Sequence, residues 1–179
     1  LTEVVPIELI VPLTDARAQY PGLKAFPADP VEDAKTLVRI AEWCGAYTPW
    51  TAPEAGGEAL EGGGAGAGVW LDATGCAHLF GGEAKLTRML IARMRRLGFT
   101  ARAGLAETPG AAWAVARFGQ TDRGKATDRK DEVSRIVPPG GVRAALTPLS
   151  ITALRLPADV IDGLYGLGLR RVGDLLNIP

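Results

Sequence analysis

Only two cysteines, Cys44 and Cys76, and one histidine, His78, occur in the 179-residue chain. Neither cysteine belongs to a Cys-x-x-Cys pair, and one His with two Cys cannot fill a closed zinc site. So few thiols fit a reducing compartment better than a disulfide framework. Net charge is missing as well, because 20 basic residues balance 20 acidic ones. A stand-alone nucleic-acid binder usually carries excess Lys and Arg, since phosphate neutralisation supplies most of its affinity; any DNA binding by this chain is expected to be weak. No apolar run approaches the roughly 20 residues of a membrane span. The opening Leu1–Glu8 has neither the basic start nor the apolar core of a signal peptide. These absences predict a cytoplasmic protein with no membrane association.

What is present points to a globular α+β chain. Hydrophobic residues make up 47% of it, enough for one sizeable core with a small appendage. Thr14–Tyr20 reads as a short helix stopped by Pro21-Gly22. Asp29 as cap and Pro30 at the first turn start a helix to about Ala46, with Val31, Ala34, Leu37, Val38, Ala41 and Cys44 on one stripe. Residues 51–68 are rich in Gly, Ala and Glu. A phosphate-cradling loop needs a strand before it and a helix after; the order here is the reverse, so a surface insertion is expected. Val69–Ala73 reads as a strand. Gly82–Leu97 is an amphipathic helix with Leu86, Met89, Leu90, Met94 and Leu97 inward and Gly98 as its cap. Its surroundings hold Lys85, Arg88, Arg93, Arg95, Arg96 and Arg102 against one acid, Glu83, a pattern expected of a solvated face.

Phe99–Leu105 forms the next strand, and Thr108-Pro109 caps a helix ending at Gly119. Gln120–Asp131 is polar without apolar periodicity. Arg135–Val137 is an expected edge strand, broken by Pro138-Pro139-Gly140-Gly141. The remainder divides into short helices at Val142–Leu146, Ser150–Leu154, Pro157–Tyr165 and Arg170–Asn177, which must pack together to be stable. A boundary near residue 140 separates 1–140 from 141–179. The element order predicts helices on one face of a small antiparallel or mixed sheet, followed by a small helical region.

The segment Gly68-Val69-Trp70-Leu71-Asp72-Ala73-Thr74-Gly75, with Leu79-Phe80-Gly81 after it, resembles the palm of the Y-family (translesion) DNA polymerases. There the run is Ser-Ile-Asp-Glu-Ala-Phe-Leu-Asp-x-Thr-Gly. Further likeness lies in Pro12–Arg17, Pro21-Gly22-Leu23, Tyr47-Thr48-Pro49 and Arg102–Ala106. Leu167-Gly168-Leu169-Arg170-Arg171-Val172-Gly173-Asp174-Leu175 resembles the family's thumb. The resemblance implies residues 1–140 as palm-like with a partial finger-like segment, and 141–179 as a thumb-like region with a helix-hairpin-helix-type turn.

The departures from the pattern are as informative. The family's paired metal-binding carboxylates fall on Ala67 and Gly68, which offer no oxygen ligand for two-metal phosphoryl transfer. The family's first-strand motif, which carries a third ligand, does not appear, and the piece before Val11 matches nothing in it. Thr108-Pro109 stands where the family has Asn-Lys. The first thumb hairpin, Leu154-Arg155-Leu156-Pro157, has lost both its glycines, whereas Gly166 and Gly168 keep those of the second. This combination resembles the catalytically degenerate ImuB-type members of bacterial mutasome systems.

The resemblance implies a non-catalytic adaptor in induced, mutagenic translesion synthesis and DNA repair, with no cofactor. Implied partners are DNA, a sliding clamp, an error-prone DnaE-type polymerase and a RecA-like accessory protein, mostly through segments outside these residues. The DNA contacts are expected at Gly166, Gly168, Arg170 and Arg171: the glycines allow close backbone approach, the helix start offers amides, and the arginines add charge to phosphate. An active polymerase remains an alternative; it would use magnesium and need carboxylates from Asp72 in another register, from Glu58 or Glu61, or from elsewhere. A pure protein-interaction module is a third. Asp72 is expected to be structural, in an Asx-type turn at Thr74-Gly75. Cys76 and His78 lack a third residue that would orient them for catalysis. Trp43, Trp50, Trp70 and Trp113 read as packing residues, with Trp50 the one expected to be partly exposed.

Overall fold

A computed structural model describes residues 12–27, 29–54, 68–119 and 134–176. The opening eleven residues, Ala67, Glu58 and Glu61, and the polar stretch after Gly119 lie outside the described residues, as does the expected end of the last helix at Asn177. Seven α-helices are described: α1 (Leu13–Gln19), α2 (Pro30–Cys44), α3 (Glu83–Arg96), α4 (Pro109–Phe118), α5 (Val142–Leu146), α6 (Ala158–Gly166) and α7 (Val172–Leu175). Two 3₁₀ helices, Ala77–Phe80 and Ile151–Leu154, and four strands, β1 (Thr51–Pro53), β2 (Val69–Leu71), β3 (Ala103–Leu105) and β4 (Ser134–Ile136), complete the order.

Local chemistry sets the helix limits. Asp29 Oδ1 accepts from Glu32 N at 3.0 Å, and Thr108 Oγ1 accepts from Ala111 N at 3.3 Å. Each is an N-cap followed by Pro, where the missing N–H is not needed. Helix α3 ends in a Schellman arrangement: Phe99 N donates to Met94 O and Gly98 N to Arg95 O, with Gly98 at φ +87°.

The strands do not form the single small sheet that the element order suggests. Among the described residues there are two two-stranded pairs: β1 and β2 antiparallel, with Ala52 opposite Trp70, and β3 and β4 parallel, with Gly104 opposite Arg135. Strand β1 falls in what the composition marks as loop. Thr-Ala-Pro has no strand pattern of its own, and pairing with β2 creates it. The inward faces also differ from expectation. Helix α2 buries Ala41 and Cys44, while Val31 and Val38 are exposed. Helix α3 buries Leu86, Thr87, Ile91 and Met94, with Met89 and Leu97 exposed. Thr87 fits inside because its hydroxyl donates to Glu83 O at 2.9 Å, which satisfies its polar group locally.

The main core gathers on α4. Trp113, Ala114 and Val115 pack with Val137, Leu149, Ala153 and Val172, and Trp70 leans on them from β2. This core draws residues from both sides of position 140. The short helices after it are joined by backbone bonds as well: Ile151 N to Arg170 O at 3.0 Å, Val172 N to Leu149 O at 2.9 Å, and Gly173 N to Thr147 O at 2.9 Å. The mixture is α+β, with more helix than strand.

Candidate functional site

Two places hold the residues singled out in the sequence. The first surrounds Gly68. Hydrogen bonding of Glu54 N to Gly68 O at 2.8 Å extends the β1–β2 pair by one step and fixes Glu54 beside Gly68. A Cβ at position 68 would overlap the Glu54 carboxylate oxygen Oε2. That carboxylate is 13% exposed and faces two arginines. Arg117 Nη2, at the end of α4, lies 3.6 Å from Oε2, and Arg155 Nη1 lies 3.2 Å from Oε1. Both guanidiniums also lie over Trp113, their central carbons 5.0 and 4.8 Å from the ring centroid. An aromatic face attracts cations, so the indole and the carboxylate together hold two positive groups close to one another.

Arg155 occupies this cluster from an unusual backbone. It ends the second 3₁₀ helix at φ 57°, ψ 33°, the one described non-glycine residue with positive φ. The turn thus keeps the left-handed conformation that glycine adopts freely, while its residue is an arginine. At Gly68 the oxygens are already engaged: its carbonyl accepts from Glu54 N, and the space beside it is filled by a carboxylate held by two cations, an arrangement that does not suit a divalent metal. No group of three His, Cys, Asp or Glu that could hold a metal occurs among the described residues.

The second place is the turn around Gly166–Arg171. Gly168 is left-handed at φ +82°, and the space where a Cβ would stand at Gly166 or Gly168 is open. The amides expected to be free there are taken. Leu167 N and Gly168 N bond back into the end of α6, and Leu169 N bonds to Leu164 O. Asp174 Oδ2 accepts from Arg170 N at 2.9 Å and from Arg171 N at 2.8 Å. The chain's own carboxylate therefore holds the donors that the sequence assigned to phosphate. The side chains remain available: Arg170 stacks over Tyr165 at 5.8 Å, and Arg171 helps line a cleft of about 460 Å³ with Arg143, Thr147, Pro148 and Gly173.

The amides of Arg170 and then Arg171 hold the Asp174 carboxyl below the usual carboxylate range. A lowered folded pKa means that this stabilisation is complete above the unfolded value and is lost as pH falls through the folded one. Asp174→Asn is accordingly expected to destabilise at neutral pH, with the difference from the parent protein shrinking in acid. Urea unfolding at about pH 7 and about pH 3 reads that difference.

The remaining candidates separate. Asp72 behaves as expected of an Asx turn: Oδ1 accepts from Thr74 N at 2.9 Å, and bonds from the Thr74 side chain and amide lower its pKa. Thr48 Oγ1 donates to Asp72 O at 2.5 Å, tying the end of α2 to the end of β2. His78 is exposed, and Cys76 precedes a 3₁₀ helix, where a two-residue spacing does not place side chains on one face. Trp50 is 70% exposed, and Trp113 is buried. On α3, Arg93 lies over Trp43 at 5.8 Å, and Arg102 Nη1 donates to Arg117 O at 3.3 Å. Sequence reasoning missed Glu54 and Arg117 as site residues. The one available signal was Arg155, standing where a glycine pattern was expected.

Compared with known proteins, the chain is 38% identical over 165 residues, 92% of its length, to Protein ImuB of Caulobacter vibrioides strain NA1000 / CB15N. The same identity and coverage hold for Protein ImuB of strain ATCC 19089 / CIP 103742 / CB 15. The chain spans 31% of the length of these relatives. No family model matches it, and no solved structure matches it.

Proposed function

We infer, from a chain that along 92% of its length belongs to the ImuB-type, Y-family polymerase-like proteins, a role in DNA damage-induced mutagenesis as a non-catalytic adaptor. The observation that carries this is the environment of Gly68. Where the family's resemblance calls for a metal-binding carboxylate, a glycine abuts Glu54, and Glu54 is held by Arg117 and Arg155. Leu149, Ala153 and Val172 pack on the same core as α4, which supports reading the thumb-like portion and the palm-like one as one platform.

The platform meets DNA through phosphate, weakly and without sequence preference, at Gly166, Gly168, Arg170 and Arg171. With Asp174 on the Arg170 and Arg171 amides, the arginine side chains supply the attraction and the glycines supply clearance. No described helix is long and apolar enough to cross a membrane, and we place the protein's work in the cytoplasm, where the DNA is. Contacts with a sliding clamp, an error-prone DnaE-type polymerase and a RecA-like accessory protein belong to the rest of such a protein.

The test is titration of a labelled primer–template duplex across a salt series. Replacing Arg170 and Arg171 together by Gln is expected to weaken binding at low salt. The log–log salt slope should flatten by about 0.9 for each phosphate that is no longer neutralised. An unchanged slope with an intact fold would move the DNA site away from this turn. Absence of binding by the parent protein would leave a protein-only adaptor.

A further inference from the structure

Glu54, Trp113 and Arg155, remote along the chain, meet at one point. Glu54 follows β1, Trp113 stands within α4, and Arg155 ends the second 3₁₀ helix. Arg155 Nη1 lies 3.2 Å from Glu54 Oε1, and its guanidinium carbon lies 4.8 Å from the Trp113 ring centroid. The Glu54 side chain is 13% exposed and Trp113 is buried, so solvent screens the contact little on that side. Arg155 makes it from a left-handed backbone, which costs an arginine free energy and persists where surrounding contacts over-determine it. Its side chain supplies two such contacts, the ion pair and the indole. The turn held this way is joined to the one assigned to DNA. Ile151 N donates to Arg170 O, Ser150 and Arg171 form a bridge, and Ser150 Oγ lies 3.3 Å from the hydroxyl of Tyr165, whose ring carries Arg170. The 3₁₀ helix Ile151–Leu154 therefore stands between Arg155 and the Arg170–Arg171 backbone.

We propose that Glu54 is a positioning residue for the Gly166–Arg171 turn: by holding Arg155 on Trp113 it latches the thumb-like 3₁₀ helix to the end of β1 and fixes where Arg170 and Arg171 are presented. Glu54 itself touches no DNA, and the role rests on the DNA contact proposed above for that turn. The apolar core already joins the two portions of the chain, but apolar packing is non-directional. A guanidinium set between a carboxylate and an indole adds direction, because its donors are fixed in a planar fork. Glu54 is a fixed point for this purpose. Its amide donates to Gly68 O at 2.8 Å, and its other carboxylate oxygen lies 3.6 Å from Arg117 Nη2. Arg155 is 42% exposed, which puts the coupling at the modest end of charge-assisted contacts.

The experiment compares the parent protein with Glu54→Gln, Arg155→Gly and the double variant, each checked for fold by circular dichroism. Glycine suits the left-handed backbone, so Arg155→Gly removes the side chain without straining the turn. Amide hydrogen exchange is the first readout. Protection at Ile151, Val172 and Gly173 is expected to fall roughly fivefold in each single variant, while amides within α3 keep the parent's protection. The double variant is expected to lose no more than either single one, since both break the same contact. The labelled duplex is the second readout. Removing a negative charge would by itself tighten binding, yet Glu54→Gln is expected to weaken it roughly two- to fivefold at low salt, with the parent's log–log slope, because no phosphate contact is lost. Parent-like protection in both single variants, or additive losses in the double one, overturns the latch. Lowered protection with unchanged or tighter duplex binding by Glu54→Gln overturns the positioning role. A flattened slope for Arg155→Gly makes Arg155 a phosphate contact and overturns it too. If protection falls as expected while the parent binds no duplex, the DNA contact fails and the latch between the two portions stands.

Discussion

No template-directed nucleotide incorporation is expected from this chain with magnesium or manganese, and none from the variant carrying Ala67→Asp and Gly68→Glu. Restoring the carboxylates is the obvious rescue of a degenerate polymerase-like site, and the surroundings of Gly68 oppose it. A side chain at 68 needs the volume that holds Glu54 Oε2. The Glu54 side chain can move, but moving it separates the carboxylate from Arg117, which is 25% exposed, and from Arg155. Withdrawing a carboxylate from a poorly solvated guanidinium costs on the order of 1–3 kcal/mol. If the introduced glutamate takes over both arginines instead, it is neutralised by them and is a poor ligand for a divalent ion. The variant is therefore expected to be inactive either way. Primer extension above a no-protein control, by either protein, would count against the non-catalytic function.

The second large effect is structural. Gly104→Ala is expected to cost about 3 kcal/mol, by overpacking against a wall that cannot yield. Strand β3 runs so close to α4 that a Cβ at 104 would overlap Ala112 O and stand 2.8 Å from Ala116 N and 2.9 Å from Val115 Cγ2. The first two are helix backbone atoms, so relief requires shifting α4, which carries Trp113, Ala114 and Val115 into the core. At about 2–4 °C per kcal/mol for a chain of this size, the thermal midpoint should fall by about 6–12 °C. Gly110→Ala is the control. Nothing stands within 4 Å of its added Cβ, and in the first turn of α4 it should be neutral or slightly stabilising. Equal midpoints for the two variants in a thermal melt would show that β3 and α4 are not in this close contact.

Sequence alone determined the features that depend on nearest neighbours. Asp29-Pro30 and Thr108-Pro109 announce helix starts because cap and proline act within one turn. Gly98 announces the end of α3, and Asp72 announces its turn to Thr74. The likeness carried by Trp70–Phe80 and Leu167–Leu175 was readable as well, since motif spacing is a one-dimensional property, and Protein ImuB matches the chain over 92% of its length.

Tertiary structure alone decided what depends on distant partners. Thr51–Pro53 is a strand because Val69–Leu71 lies beside it, and nothing in Thr-Ala-Pro says so. Thr87 and Ile91, rather than Met89 and Leu97, face the core because the neighbours of α3 set which side of the helix is covered. Periodicity marks an apolar stripe but leaves its rotation to packing. The hairpin amides looked free until Asp174, three and four residues on, turned back to them. The cluster at Gly68 is the clearest case. Residues 54, 117 and 155 are remote along the chain, and each reads alone as an ordinary surface charge. Only the fold brings one carboxylate and two guanidiniums onto a single indole, and the electrostatics of that meeting decide what the site can hold.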